Sequence, residues 1–127
     1  MVRELGLVNR VQFLEWVPEE DLPFLYAGAR AFAFPSAYEG FGLPVLQALA
    51  CGVPTVCSDI PALREVADDA VLLAPPSDGE AWTDALGRIL TDDVLRTDLK
   101  NRGLARSSLF SWKHTAHLTW DGICDIL

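Results

Sequence analysis

The chain has 127 residues, half of them apolar, and a formal net charge of −8. That is one globular domain with a proper core, too short for a two-lobed enzyme, and its charge argues against the Lys and Arg clusters that nucleic acid or an anionic membrane surface requires. No run approaches the roughly 18 apolar residues of a membrane span, and no basic-then-apolar leader opens the chain, so the default is a cytoplasmic protein with no membrane span.

In chain order, Met1–Gly6 reads as the last turns of a helix stopped by Gly6, a start that suggests a truncated domain. Arg10–Val17 alternates and is β-rich, so it is read as the first strand. Pro18-Glu19-Glu20-Asp21 places acidic residues at a helix N-terminus, and Leu22–Gly28 completes that short helix.

Ala31–Phe34 is expected as a second strand, Pro44–Ala50 as a helix ended by Gly52, Pro54–Cys57 as a third strand, Ala62–Ala67 as a helix and Ala70–Leu73 as a fourth strand closed by Pro75-Pro76. Short strands apolar on both faces, alternating with helices, describe an α/β, Rossmann-like parallel sheet covered by helices on both faces, with right-handed crossovers.

Asp78 is placed to cap the next helix, in which Trp82, Ala85, Leu86, Ile89 and Leu90 recur at helical spacing as a core stripe. Val94 to about Ser107 is a further helix with Leu95 and Leu99 inward. Ser111 caps a last one, about 112–127, whose Trp112, Ala116, Trp120, Ile123 and Leu127 share a face.

The stretch Pro35-Ser36-Ala37-Tyr38-Glu39-Gly40-Phe41-Gly42-Leu43-Pro44 is the candidate site. Gly40 and Gly42 let the backbone approach a ligand, and Pro44 suits the first turn of the helix that follows. Free N–H groups and the positive end of a helix dipole would meet there, which favours an anion. Glu39 stands before the helix and Gln47 about one turn inside it, so both could flank one ligand. The same residues also read as a strand-to-helix turn with a surface Glu and a surface Gln.

Cys51, Cys57 and Cys124 are odd in number and lack metal-ligand spacing, which reads as buried thiols in a reducing compartment. His114 and His117 lie three apart on a helix but lack a third ligand nearby, so they read as solvated side chains.

The run from Val11-Gln12-Phe13-Leu14-Glu15-Trp16-Val17-Pro18 through Leu25-Tyr26, Phe34-Pro35-Ser36, Glu39 to Pro44, Ala50-Cys51-Gly52-Val53-Pro54, Ser58-Asp59-Ile60-Pro61 and Leu63-Arg64-Glu65-Val66 resembles one family. It resembles the C-terminal, nucleotide-sugar-binding domain of retaining GT-B glycosyltransferases of group 1, from about Leu5 to Phe110-Ser111-Trp112.

The resemblance implies donor binding for a nucleotide diphosphate sugar, with Glu39 as the catalytic residue that contacts donor-sugar hydroxyls. It implies that the backbone at Gly40, Phe41, Gly42 and Leu43 holds the sugar and diphosphate, that Gln47 stands where the family has a ribose-binding Glu, and that Trp16, Val17 and Pro18 face the nucleobase. Two departures are Gln47 itself, an uncharged acceptor worth about 1 kcal/mol less per bond, and Glu15, where the family commonly has glycine.

The resemblance also implies that the domain's first two strands, the Arg and Lys that clamp the diphosphate, and an N-terminal lobe with the acceptor site all lie upstream. The fragment alone would then be inactive. No cofactor and no metal are expected, and no general base or nucleophile is assigned. A stand-alone nucleotide-binding or interaction module remains the alternative; an epimerase or phosphorylase of the same fold is disfavoured by the run from Ser58 to Glu65. With strands missing, the unpaired sheet edges and the last helix face would lead the fragment to self-associate as a homo-oligomer.

Overall fold

The computed structural model describes residues 1–126, and within them the chain runs α1 (Leu22–Gly28), β1 (Phe32–Phe34), α2 (Leu43–Ala50), β2 (Thr55–Ser58), α3 (Pro61–Ala67), β3 (Leu72–Ala74), α4 (Gly79–Thr91), α5 (Asp93–Ser107) and α6 (Trp112–Cys124). The strands form one parallel sheet in the order β1-β2-β3, with Phe34 opposite Cys57 and Cys57 opposite Leu73. Parallel strands expose side chains alternately to the two faces, so both faces must be covered.

The covering is divided accordingly. Cys57, with its register partners Phe34 and Leu73, packs against Val45 and Leu49 of α2 and Leu63 of α3. Val56 and Leu72 turn the other way, onto Ala85 and Ile89 of α4 and Leu99 of α5. Leu49, Leu63, Ile89 and Leu99 are fully buried, and burial of each such side chain is worth about 1.5–3 kcal/mol. The α/β reading with helices on both faces therefore holds.

Local signals set the helix ends. Asp78 accepts from the N–H groups of Glu80 and Ala81 at 3.1 and 3.0 Å, Asp92 from Val94 and Leu95 at 3.0 and 2.9 Å, and Ser111 from His114 at 3.1 Å. Each satisfies donors that the first helical turn leaves free. Gly52 ends α2 as expected, with its own N–H on the Leu49 carbonyl and that of Val53 on the Ala48 carbonyl.

Four expectations are corrected. Of the three cysteines read as buried thiols only Cys57 is buried; Cys51 is half-buried at the end of α2 and Cys124 is exposed, because α6 packs against nothing that covers it among the described residues. Arg10–Val17 is not a strand: after the Arg10 and Val11 N–H groups bond the Leu7 carbonyl, no residue from Gln12 to Glu20 donates a backbone hydrogen bond to another backbone group. A strand's polar groups are satisfied only by a neighbouring strand, and β1, at the sheet edge, has no partner on its outer side among the described residues. Alternation alone cannot supply that partner.

Met1–Gly6 is a single turn, closed by Leu5 N–H on the Met1 carbonyl at 3.0 Å and stopped at Gly6. Leu90 faces solvent while Ala85 and Ile89 of the same stripe are buried. The carbonyl of Leu90 is instead the acceptor for Arg30 and Arg96, each at 3.2 Å.

The face proposed for the last helix forms without a cover, since every described residue from Ser111 onward is exposed; Leu127, assigned to that face, lies outside the described residues. Among the described residues no helix is long and apolar enough to cross a membrane.

Candidate functional site

All three strands deliver their carboxyl ends to the same side of the sheet, where open α/β sheets bind ligands. Phe34 ends β1 there, and residues 35–42 cross from it to the start of α2. Gly42 is the N-cap of α2 with φ 97° and ψ 45°, a left-handed conformation that costs an L residue about 1–2 kcal/mol. It is also buried against α3, so a Cβ at this position would overlap Leu63 Cδ2.

No side chain caps α2. Pro44 has no N–H to give, and the N–H groups of Gly40, Phe41, Gly42 and Leu43 donate to no protein acceptor among the described residues. Four consecutive unpaired donors at the positive end of a helix are chemistry that suits an oxyanion.

Glu39 stands beside them, half-buried, on a cleft of about 490 Å³ that the loop shares with the first turns of α3 and the end of α5. No hydrogen bond or ion pair engages the Glu39 carboxylate among the described residues, whereas Ser36 is tied to the Tyr38 carbonyl at 3.0 Å and Asp59 to Arg64 at 2.7 Å. A carboxylate without an internal partner is free to accept hydroxyl protons from a ligand.

The other sequence-derived candidates are less close to this centre. Gln47 lies on the exposed side of α2, outside the cleft lining, and its Oε1 accepts from the Tyr26 hydroxyl at 3.5 Å. Burial, reinforced by Cys51, holds the Tyr26 phenol above its ordinary pKa, so it stays a neutral donor; its ring packs edge-on against Phe32 at 5.3 Å. Trp16 is 79% exposed, while Val17 and Pro18 are half-buried, and none of the three lines the cleft.

Among the cleft residues that the sequence did not assign to the site are Glu65, Arg106 and Phe110. The guanidinium of Arg106 donates to the carbonyls of Val66 at 2.9 Å and Glu65 at 2.6 Å, and sits 5.2 Å from the centre of the Phe110 ring. Phe110 in turn meets Phe41 of the glycine loop edge-on at 6.0 Å. Forty residues of sequence separate Arg106 from α3, and no local motif reports that contact. The available clue was Gly103, one turn before Arg106, where an added Cβ would lie 3.0 Å from Leu49 Cδ2. That close approach of α5 to α2 carries the end of α5 over α3.

Residues 1–106 match the family model described as glycosyl transferases group 1. The O-antigen chain mannosyltransferase B of Escherichia coli is 50% identical over 104 residues, which make up 82% of this chain and 27% of that protein. The serotype-specific mannosyltransferase WbdA, also of Escherichia coli, is 38% identical over 119 residues, 94% of this chain and 15% of that protein. Among solved structures, sucrose-phosphate synthase from Thermosynechococcus elongatus is similar with a TM-score of 0.89 at 33% identity, covering 98% of this chain and 32% of that one.

The chain thus spans less than a third of the length of these proteins, and the likeness includes the strand, glycine loop and helix around Glu39. On sequence and on fold alike, the chain belongs to the group 1 glycosyl transferases and has the α/β architecture of the C-terminal domain of their GT-B fold.

Proposed function

We propose that this chain is the donor-binding part of a glycosyltransferase that moves a sugar from a nucleotide diphosphate to an acceptor with retention. The observation that carries the reading is the row of four unpaired N–H groups at the start of α2 beside the unpaired Glu39 carboxylate. The row suits a diphosphate, whose charge is met by oriented donors and the helix dipole without a metal ion. The carboxylate suits the hydroxyls of the attached sugar, which is the role given to Glu39 as the catalytic residue of the donor site.

Gln47 then stands for the ribose contact and Trp16, Val17 and Pro18 for the base. The two Escherichia coli relatives are named mannosyltransferases, so a nucleotide diphosphate mannose is the donor to try first. Acceptor recognition belongs to chain outside these residues, and the isolated 127-residue protein is expected to bind donor without transferring sugar.

Calorimetry against GDP, GDP-mannose, UDP and UDP-glucose tests the reading. Glu39→Ala should weaken binding of the nucleotide sugar by about tenfold and leave the bare diphosphate nearly unchanged, since only the former presents sugar hydroxyls to the carboxylate. Equal losses for both would remove Glu39 from the sugar site. Turnover by this chain alone would overturn its assignment as the donor half only.

A further inference from the structure

The glycine loop is open to solvent on its ligand side, yet its backbone must hold four N–H groups in one direction for them to act together. Gly42 is fixed from below by Leu63, but Gly40 has nothing within 4 Å of the place where a Cβ would stand. Phe41 lies between these two glycines, and its ring is held by Phe110.

Phe110 is not free either. It follows α5, and the Arg106 guanidinium stands 5.2 Å from its ring. Arg106 is itself fixed by two hydrogen bonds to carbonyls in the last turn of α3, where its charge also meets the negative end of that helix. A cation over an aromatic face and an edge-to-face aromatic pair both have preferred geometries, so position passes from one group to the next.

We propose that Arg106 and Phe110 are positioning residues for the donor loop: anchored on the last turn of α3, they fix the Phe41 ring and thereby the direction of the backbone N–H groups on either side of it. This rests on the donor reading of the loop. Arg106 acts through Phe110 and Phe41 and needs no contact with the donor. Arg106→Lys keeps the charge but loses the fork that spans two carbonyls. Phe110→Leu keeps the bulk but loses the ring, and Phe110→Tyr keeps the ring.

The test follows the Gly40 and Gly42 amide resonances in ¹⁵N spectra of the 127-residue chain, with Arg102→Lys as the control. Arg102 lies one turn earlier on α5 and bonds the Asp69 carbonyl at 3.0 Å, outside the cleft lining. Arg106→Lys and Phe110→Leu should move both glycine amides and lower affinity for the nucleotide sugar about fivefold, while Arg102→Lys and Phe110→Tyr leave both readouts near those of the unaltered chain.

Glycine amides that stay in place in folded Arg106→Lys and Phe110→Leu proteins would overturn the proposal, as would equal shifts in the Arg102→Lys control. If the unaltered chain binds no nucleoside diphosphate, the donor reading fails, and the amide shifts still decide the positioning role.

Discussion

The stretch from β1 to α5 and the two flanks of the chain, residues 1–20 and α6, are both rich in apolar side chains, but only the first buries them. Val45, Leu49, Val56 and Leu63 are wholly inside, whereas Phe13, Trp16, Trp112 and Trp120 stand in solvent. The flanks also differ from each other: α6 is a complete helix without a buried residue, and residues 12–18 have no regular structure. A helix satisfies most of its backbone groups within its own segment, while a strand is completed only by its neighbour.

The largest effect that sharpens this contrast is expected at Gly42. Gly42→Ala forces an L residue into a left-handed conformation and drives its Cβ onto the fully buried Leu63 side chain. The combined cost should be about 2–4 kcal/mol, read from the urea midpoint. A loss below about 1 kcal/mol would mean that the loop re-forms easily and is no more firmly held than the flanks.

The two ends of the cysteine range draw the same line chemically. Burial, with Asp59 adding to it, pushes the Cys57 thiol from 9.0 up to about 12, while Cys124 is exposed on α6. Between pH 9 and 12 the unfolded chain releases the Cys57 proton and the folded one keeps it. The unfolded state then binds fewer protons, so stability falls as pH rises, by about 1.4 kcal/mol from this one group at pH 10. Cys57→Ala should lack that part of the alkaline decline in urea titrations. At pH 8 an alkylating reagent should label Cys124 and spare Cys57 until the core opens.

Much of this division could be read from the residues alone. The order of helices and strands from Leu22 onward, the caps at Asp78 and Ser111, and the glycine-bearing turn before α2 all follow from local chemistry, and the structure keeps them. Arg10–Val17 failed because alternation describes a strand's faces and says nothing about whether a partner edge exists. Leu90 failed because helical spacing gives the stripe but not where the neighbouring element ends. In the candidate site, Glu39 and the loop were legible because they lie together in sequence; Arg106 and Phe110 were not, because they reach the cleft only through the crossing of α5 over α2 and α3.

Two caps of similar geometry offer a smaller and more discriminating test. Asp78 begins α4, which buries Ala85 and Ile89, and Ser111 begins α6, which buries nothing. Asp78→Ala should therefore lower global stability by about 1 kcal/mol. Ser111→Ala should speed amide exchange in the first turns of α6 and leave the global midpoint in place, because α6 opens independently of the core. Equal midpoint shifts would show that α6 unfolds with the core, through contacts that cover its exposed face.

The smallest effect on stability is expected where the exposed aromatic residues are most prominent. Trp16→Ser and Trp120→Ser remove rings that are 79% and 65% exposed, so neither leaves a cavity, and each should shift the urea midpoint by less than about 0.5 kcal/mol in dilute protein. Their consequence lies in association, since contiguous apolar surface and an unpaired strand edge both favour contact with another chain. Light scattering after size exclusion at micromolar concentration is expected to find the unaltered protein self-associated and both variants shifted toward monomer. If the unaltered protein runs as a monomer at every concentration, these residues are simply tolerated in water, and the contrast between core and flanks is complete without a second copy.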